Sequence, residues 1–254
     1  MSSKLLSGGS SLIRGFALIT RPGIRPYVII PLLINMLLFA AVITLGAHWL
    51  GDLIDSFLPS WLSWLSWLLW PLFAIIALGL VFFSFSIVAN LIGAPFNGML
   101  AAAVEKHLTG HPPTNPPGRF LDELRSALMS ELRKLLYFLK WALPILLLFL
   151  IPGLQMVAPL LWFLFGAWML AIEYADYPMG NQGLDFPAQR RILASQRPAS
   201  FGFGASAMLL TLIPVLNFIA MPVAVAGATA WWVEQLRGSA DPVSDPGRQI
   251  DHRN

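Results

Sequence analysis

The chain contains no cysteine. Disulfides, thiolate metal sites and cysteine nucleophiles are thereby excluded. Charge is scarce as well: 11% of the 254 residues are Asp, Glu, Lys or Arg, and 57% are hydrophobic. An average soluble domain carries about 25% charged residues. One soluble core of this length does not absorb that apolar excess, so lipid must solvate part of the surface. The four histidines, His48, His107, His111 and His252, have no metal-ligand spacing. No Walker loop occurs, which excludes ATP hydrolysis by this chain. No clustered Ser/His or His/Asp/Glu set marks an enzyme. The expectation is a non-enzyme without metal or cofactor.

The most telling absence is positive charge. No Lys or Arg occurs between Arg25 and Lys106. That gap holds two long apolar runs, about Tyr27–Leu50 and Trp61–Asn90. The link between them, Gly51–Ser60, carries only Asp52 and Asp55. Elsewhere every apolar block is flanked by Arg and Lys. Cytoplasmic loops of membrane proteins carry such an excess, so the pattern predicts an acidic outer turn and a basic inner face. The net charge of +3 is dispersed along these flanks. It reads as orientation charge, and no nucleic-acid partner is expected. The first residues are small and polar, and no cleavage site follows the first apolar run. A multi-pass protein of a bacterial inner membrane is the simplest reading.

Leu5–Ile19 is weakly amphipathic and reads as an interfacial helix or a loosely ordered tail. Thr20–Pro26 holds two prolines and a glycine, which oppose ordinary helix, and places Arg21 and Arg25 at the lip of the first run. Tyr27–Leu50 is long enough to span, since a span needs about 20 apolar residues. It is interrupted by Pro31, Asn35, Thr44 and His48. Trp61, Trp64, Trp67 and Trp70 read as an interfacial anchor, or alternatively as an aromatic cage, before a second span at about 68–94. The segment 96–140 is the most polar, with helical flanks around a Pro-rich turn at His111–Pro117. A flexible tail is expected over 238–254.

Two apolar blocks remain, Trp141–Ala171 and Phe201–Val233, each broken in the middle. The breaks, Leu150–Pro159 and Leu212–Pro222, share Leu-Ile-Pro, then Leu, an amide side chain, Ala and Pro. They form a weak internal repeat. Basic residues on both sides of each block favour re-entrant hairpins, at about 141–172 and 201–233, over single spans. Arms of ten to fifteen residues would rise about 15–22 Å, short of a ~30 Å hydrocarbon core. The fold class is therefore an all-α membrane protein. It has two long transmembrane helices, two hemi-penetrating hairpins and cytoplasmic helical extensions. Gln155 and Asn217 would sit at membrane depth beside broken backbone, the usual pointer to a transport pathway. Asn35 within the first span and Glu105 beyond the second are further pathway or gate candidates. The plainer reading of Asn35 is a bond to a neighbouring helix, and that of Glu105 is a solvated helix charge. Hairpins that do not cross need shielding neighbours, which argues for an oligomer.

Several segments in order resemble the CysZ sulfate permeases. They are Pro22-Gly23-Ile24-Arg25, Ala94-Pro95-Phe96-Asn97-Gly98, Trp162-Phe163-Leu164-Phe165, Trp168-Met169-Leu170-Ala171-Ile172, the Asp176-Tyr177-Pro178 turn, and Met221-Pro222-Val223-Ala224-Val225. The resemblance covers about Ser10–Arg237. It implies sulfate uptake across the inner membrane for cysteine synthesis, and the same two-span, two-hairpin fold. It also implies a dimer-based homo-oligomer, with a hexamer among the sizes. Family members bind sulfate at a Gly-Leu-Arg motif, which maps onto Gly23, Ile24 and Arg25. Many carry a second Arg next, where this chain has Pro26, so Arg21 is the substitute candidate. Sulfate has only acceptor oxygens. Backbone N–H groups at a helix start and an Arg fork suit it. The competing reading of both Arg side chains is lipid-phosphate anchoring. The second function class is a non-transporting scaffold for a sulfur-assimilation partner.

Overall fold

The computed structural model describes residues 2–57, 71–72, 75, 79, 96–113 and 120–238. Among them every regular element is helical. We number them α1 (Ser2–Ile19), α2 (Pro26–Phe57), α3 (residues 96–109), α4 (Phe120–Leu148), α5 (Ala158–Gly180), α6 (Phe186–Ser195), α7 (Arg197–Thr211) and α8 (Pro214–Trp231). A 3₁₀ turn, Leu154–Met156, precedes α5, and a π-helical turn, Trp232–Leu236, extends α8. The chain divides into two compact units, Pro26–Phe96 and Met1–Arg25 with Asn97–Asn254.

In the first unit, α2 is 32 residues long, about 48 Å at 1.5 Å per residue. Its Pro26–Leu45 part is apolar enough to cross a membrane. Ile29, Leu33, Met36, Leu37, Ile43 and Leu45 are all exposed on it, as lipid-facing side chains would be. The helix continues to Phe57, so most of the expected acidic link is helical. Gly51 is tolerated inside the helix at a cost of about 1 kcal/mol relative to Ala, and no proline follows before Pro59. The row Trp61–Trp70 and most of the span expected at 68–94 lie outside the described residues, as does the tail from 239.

In the second unit, α1 is a packed helix. It lies against α7 and α8, with Leu12 and Leu18 buried. The approach is so close that a Cβ on Gly15 would lie 2.1 Å from the Val223 carbonyl oxygen. The same holds where α5 meets α7, with a Cβ on Gly204 reaching within 1.7 Å of the Ala167 oxygen. From Ala220 to Trp232, α8 is almost wholly enclosed, and Trp231 stacks on Phe203 at 5.3 Å.

The two broken blocks form helical hairpins. Phe138 meets Phe165, Tyr137 meets Trp168 and Lys134 meets Asp176, so α4 and α5 run antiparallel. Their turn covers residues 149–157, with Gly153 at a φ of 87° that favours glycine. The second turn is far shorter, residues 212–213 alone, and α8 runs straight through Pro222. The repeated sequence therefore produces unequal turns, because only the first break contains a glycine able to reverse the chain slowly. Helix α5 also runs through Asp176-Tyr177-Pro178, where a turn was expected, and ends at Gly180. With 23 residues it exceeds the expected arm length. Its charge-free part, Ala158–Ile172, still rises only about 22 Å. Both hairpin tips are apolar and exposed: Leu150, Met156, Leu212 and, in the first turns of α8, Val215 and Phe218 each expose two thirds or more of their surface.

Candidate functional site

The lip before α2 is a compact turn. The Ile24 and Arg25 N–H groups both donate to the Arg21 carbonyl, at 3.1 and 3.2 Å. Those two donors, expected to face an anion, are spent inside the turn. Gly23 has a φ of 87°, and nothing lies within 4 Å of where its Cβ would be. Its face is open. The Ile24 side chain is buried. Arg25 donates through Nε to the Thr20 carbonyl, which fixes the guanidinium and leaves its terminal nitrogens exposed. Arg21, four residues earlier, is also exposed. The lip thus presents an open glycine surface and two guanidinium groups.

The other candidates lie apart in the chain, and no hydrogen bond or ion pair joins them among the described residues. Asn35 sits half-buried in α2, with Oδ1 enclosed and unpartnered among those residues. Gln155 is exposed in the first hairpin turn, and Asn217 is exposed in the first turn of α8. Both therefore lie at corresponding hairpin tips.

Glu105 is 2% exposed, not a solvated helix charge. It accepts from Gln182 Nε2 at 2.8 and 3.0 Å and faces Arg237 at 3.7 Å. Burial pushes its carboxyl above the usual range, a shift that the Gln182 bond and Arg237 only partly offset. Around it, Asn181 donates to the Gly98 carbonyl at 2.9 Å, and Asn97 faces the Tyr177 hydroxyl at 3.4 Å. Two of the segments carrying the resemblance, around Asn97 and Tyr177, are thereby partners in space.

A second polar centre escaped the sequence reading. Lys134 on α4 is buried and ion-paired to Glu131, Glu173 and Asp176. Burial works against its charge, yet the carboxylates prevail and hold its proton above the usual lysine range. Asp176 also accepts from Gln189 of α6 at 2.6 Å. Arg133 faces Asp185 at 3.8 Å, and Asp185 caps α6 by accepting the Ala188 N–H at 3.0 Å. The three-residue spacing of Glu131 and Lys134, and of Glu173 and Asp176, was the available signal. Their pairing across the hairpin was not.

Comparison with known proteins places these features. The family model described as "Sulfate transporter CysZ/Etoposide-induced protein 2.4" matches residues 11–222. A protein named sulfate transporter CysZ from Pseudomonas aeruginosa is 44% identical over 236 residues, covering 91% of this chain and 96% of the relative. Those of the same name from Pectobacterium atrosepticum and Salmonella typhimurium are 46% and 45% identical. Each alignment covers 91% of this chain, with 86% and 93% of the relatives. Sustained over nearly the whole of both chains, this similarity shows that the protein belongs to the CysZ family.

Proposed function

We propose that this chain carries sulfate across a bacterial inner membrane and so supplies sulfur for cysteine synthesis. The observation that carries the reading is the near-complete alignment, at 44–46% identity, with relatives named as sulfate transporters. The membrane reading is supported by three helices among the described residues that are long and apolar enough to cross a bilayer by length and composition. We assign the oxyanion site to the lip. Arg25 supplies a planar fork, and the open face of Gly23 lets a tetrahedral dianion approach the backbone. Arg21 contributes the second charge where Pro26 follows. The two hairpins dip into the bilayer with their apolar tips and return. Their bases, where Lys134, Glu173, Asp176 and Arg237 lie, stay in water. Within the first unit Asn35 is a pathway residue; within the second, Gln155 and Asn217 at the hairpin tips are pathway residues and Glu105 is a gate. The working form is a homo-oligomer built from dimers, hexamers included, since partial penetration needs neighbours to shield the backbone.

Saturable sulfate binding to the purified protein, lost in Arg25→Ala, is the test. The expected loss is about 1.5–3 kcal/mol if charged hydrogen bonds reach the anion. Arg25→Lys restores part of it. Proteoliposomes with the wild type take up labelled sulfate above the rate of empty liposomes. Uptake no faster than that would overturn the proposal. The scaffold reading would return if uptake were unchanged in Arg25→Ala and a sulfur-assimilation enzyme were retained by the protein.

A further inference from the structure

One face of α4 has the layout of an amphiphile. Residues 133, 137, 140, 144 and 147 recur at spacings of four and three, which stacks them on one side of the helix. Read toward the hairpin tip, that side is Arg133, Tyr137, Lys140, Pro144 and Leu147. All but Tyr137 are exposed. Cations thus occupy its polar end and apolar groups its membrane end. The Arg190 guanidinium of α6 lies over the Tyr137 ring, 5.2 Å from its centre. The ring attracts the cation, and Arg190 stays exposed to the surroundings. Tyr137 is itself fixed, because its hydroxyl accepts from Trp168 Nε1 at 3.0 Å.

The nearby acidic groups are already committed. Glu131, Glu173 and Asp176 converge on the buried Lys134, and Asp185 faces Arg133. Lys140 and Arg190 have no ion-pair partner among the described residues. Both sit where the polar half of α4 gives way to the apolar run that starts at Trp141. Lys140 is about 10 Å above Leu147 along the axis. Two unmatched cations at a membrane boundary, with an exposed hydrocarbon track below them, complement an anionic headgroup carrying an acyl chain.

We infer that Tyr137, Lys140 and Arg190, with Pro144 and Leu147 beneath, form a binding site for an anionic phospholipid at the base of the first hairpin. The phosphate sits between Lys140 and Arg190, and an acyl chain runs down the Pro144–Leu147 side. The inference rests on the membrane placement of the α4–α5 turn and does not require sulfate transport.

The test titrates the full chain in detergent with phosphatidylglycerol, with phosphatidylcholine as the zwitterionic control. Bound lipid is counted by native mass spectrometry, and the thermal midpoint is followed in parallel. Phosphatidylglycerol should bind saturably and raise the midpoint, and phosphatidylcholine should not. Lys140→Gln with Arg190→Gln should weaken binding roughly tenfold or more. Arg190→Lys should lose less, since charge remains and stacking is reduced. Both sites are exposed, so a lipid-free midpoint near the wild type's is expected and serves as the folding control. Equal binding of both lipids, or undiminished phosphatidylglycerol binding in the double variant, overturns the inference. So does inorganic sulfate or phosphate producing the same shift through the same two residues, which would make this a soluble-oxyanion site. Sulfate binding at the lip, measured in the same variant, should stay intact. Its loss in Arg25→Ala alone separates the two sites.

Discussion

Replacing Lys134 by methionine tests what holds the first hairpin closed. Methionine keeps the length and removes the charge. The Lys134 side chain is 7% exposed and faces carboxylates that are 23% (Asp176), 45% (Glu173) and 64% (Glu131) exposed. The two outer pairs are wet enough to contribute ~1 kcal/mol or less each. The Asp176 pair is not, and among the described residues Asp176 would be left with Gln189 as its partner. Breaking a buried pair costs about 3–5 kcal/mol. Partial exposure of Asp176 puts the expectation near the low end, about 3 kcal/mol. For a chain of this size that corresponds to a midpoint roughly 6–12 °C lower. Combining Lys134→Met with Asp176→Asn should recover at least half of the loss, because the stranded charge disappears with its partner. Lys134 keeps its proton more tightly when folded than when unfolded. Its contribution is therefore complete below the usual lysine range and fades only as pH rises above it. The measured loss should be the same at pH 6 and pH 8. Thermal unfolding of both variants in detergent provides the assay. A drop under about 2 °C, or no recovery in the double variant, would refute the reasoning.

Other outcomes follow from the same geometry. Gly15→Ala on an open helix would stabilise by up to ~1 kcal/mol. Here its Cβ meets the Val223 carbonyl at 2.1 Å, so a loss of about 2–3 kcal/mol is expected in a melting experiment, and any gain contradicts the packing of α1. Glu105→Gln keeps an acceptor for Gln182 and removes a buried charge. The wild-type carboxyl is raised on folding, so its protonation favours the fold below about pH 4.5 and that advantage is lost as pH climbs through the folded value. As pH rises from below 4.5 through the folded value, the wild-type midpoint should fall more steeply than that of Glu105→Gln, and parallel curves would contradict the buried position.

Much of the architecture was legible because lipid writes plainly in sequence. The Tyr27–Leu50 run marks α2, and the two Leu-Ile-Pro breaks mark the two hairpin turns. The helix α1 was ambiguous because its glycines lower helix propensity when read locally. Those glycines are there to admit the backbones of α7 and α8, and that reason lies about 190–210 residues away. Glu105 misled for a similar cause. On α3 alone it is one more helix charge, and its partners Gln182 and Arg237 are distant in sequence. The Asp176-Tyr177-Pro178 segment suggested a turn from its composition, yet its Asp is needed on the helix to meet Lys134. At the lip, the motif located the open glycine, but not that the Arg21 carbonyl takes up two of the neighbouring N–H groups.

The close seating of α1 sets an order of assembly. Gly15 is made roughly 200 residues before its partner Val223. At about 5–20 residues per second, some 10–40 s separate the two. Throughout that interval α1 has emerged without the surfaces it needs, and Leu12 and Leu18 are uncovered. Helix α1 is therefore made long before it docks, and maturation of the unit waits on the completion of α8.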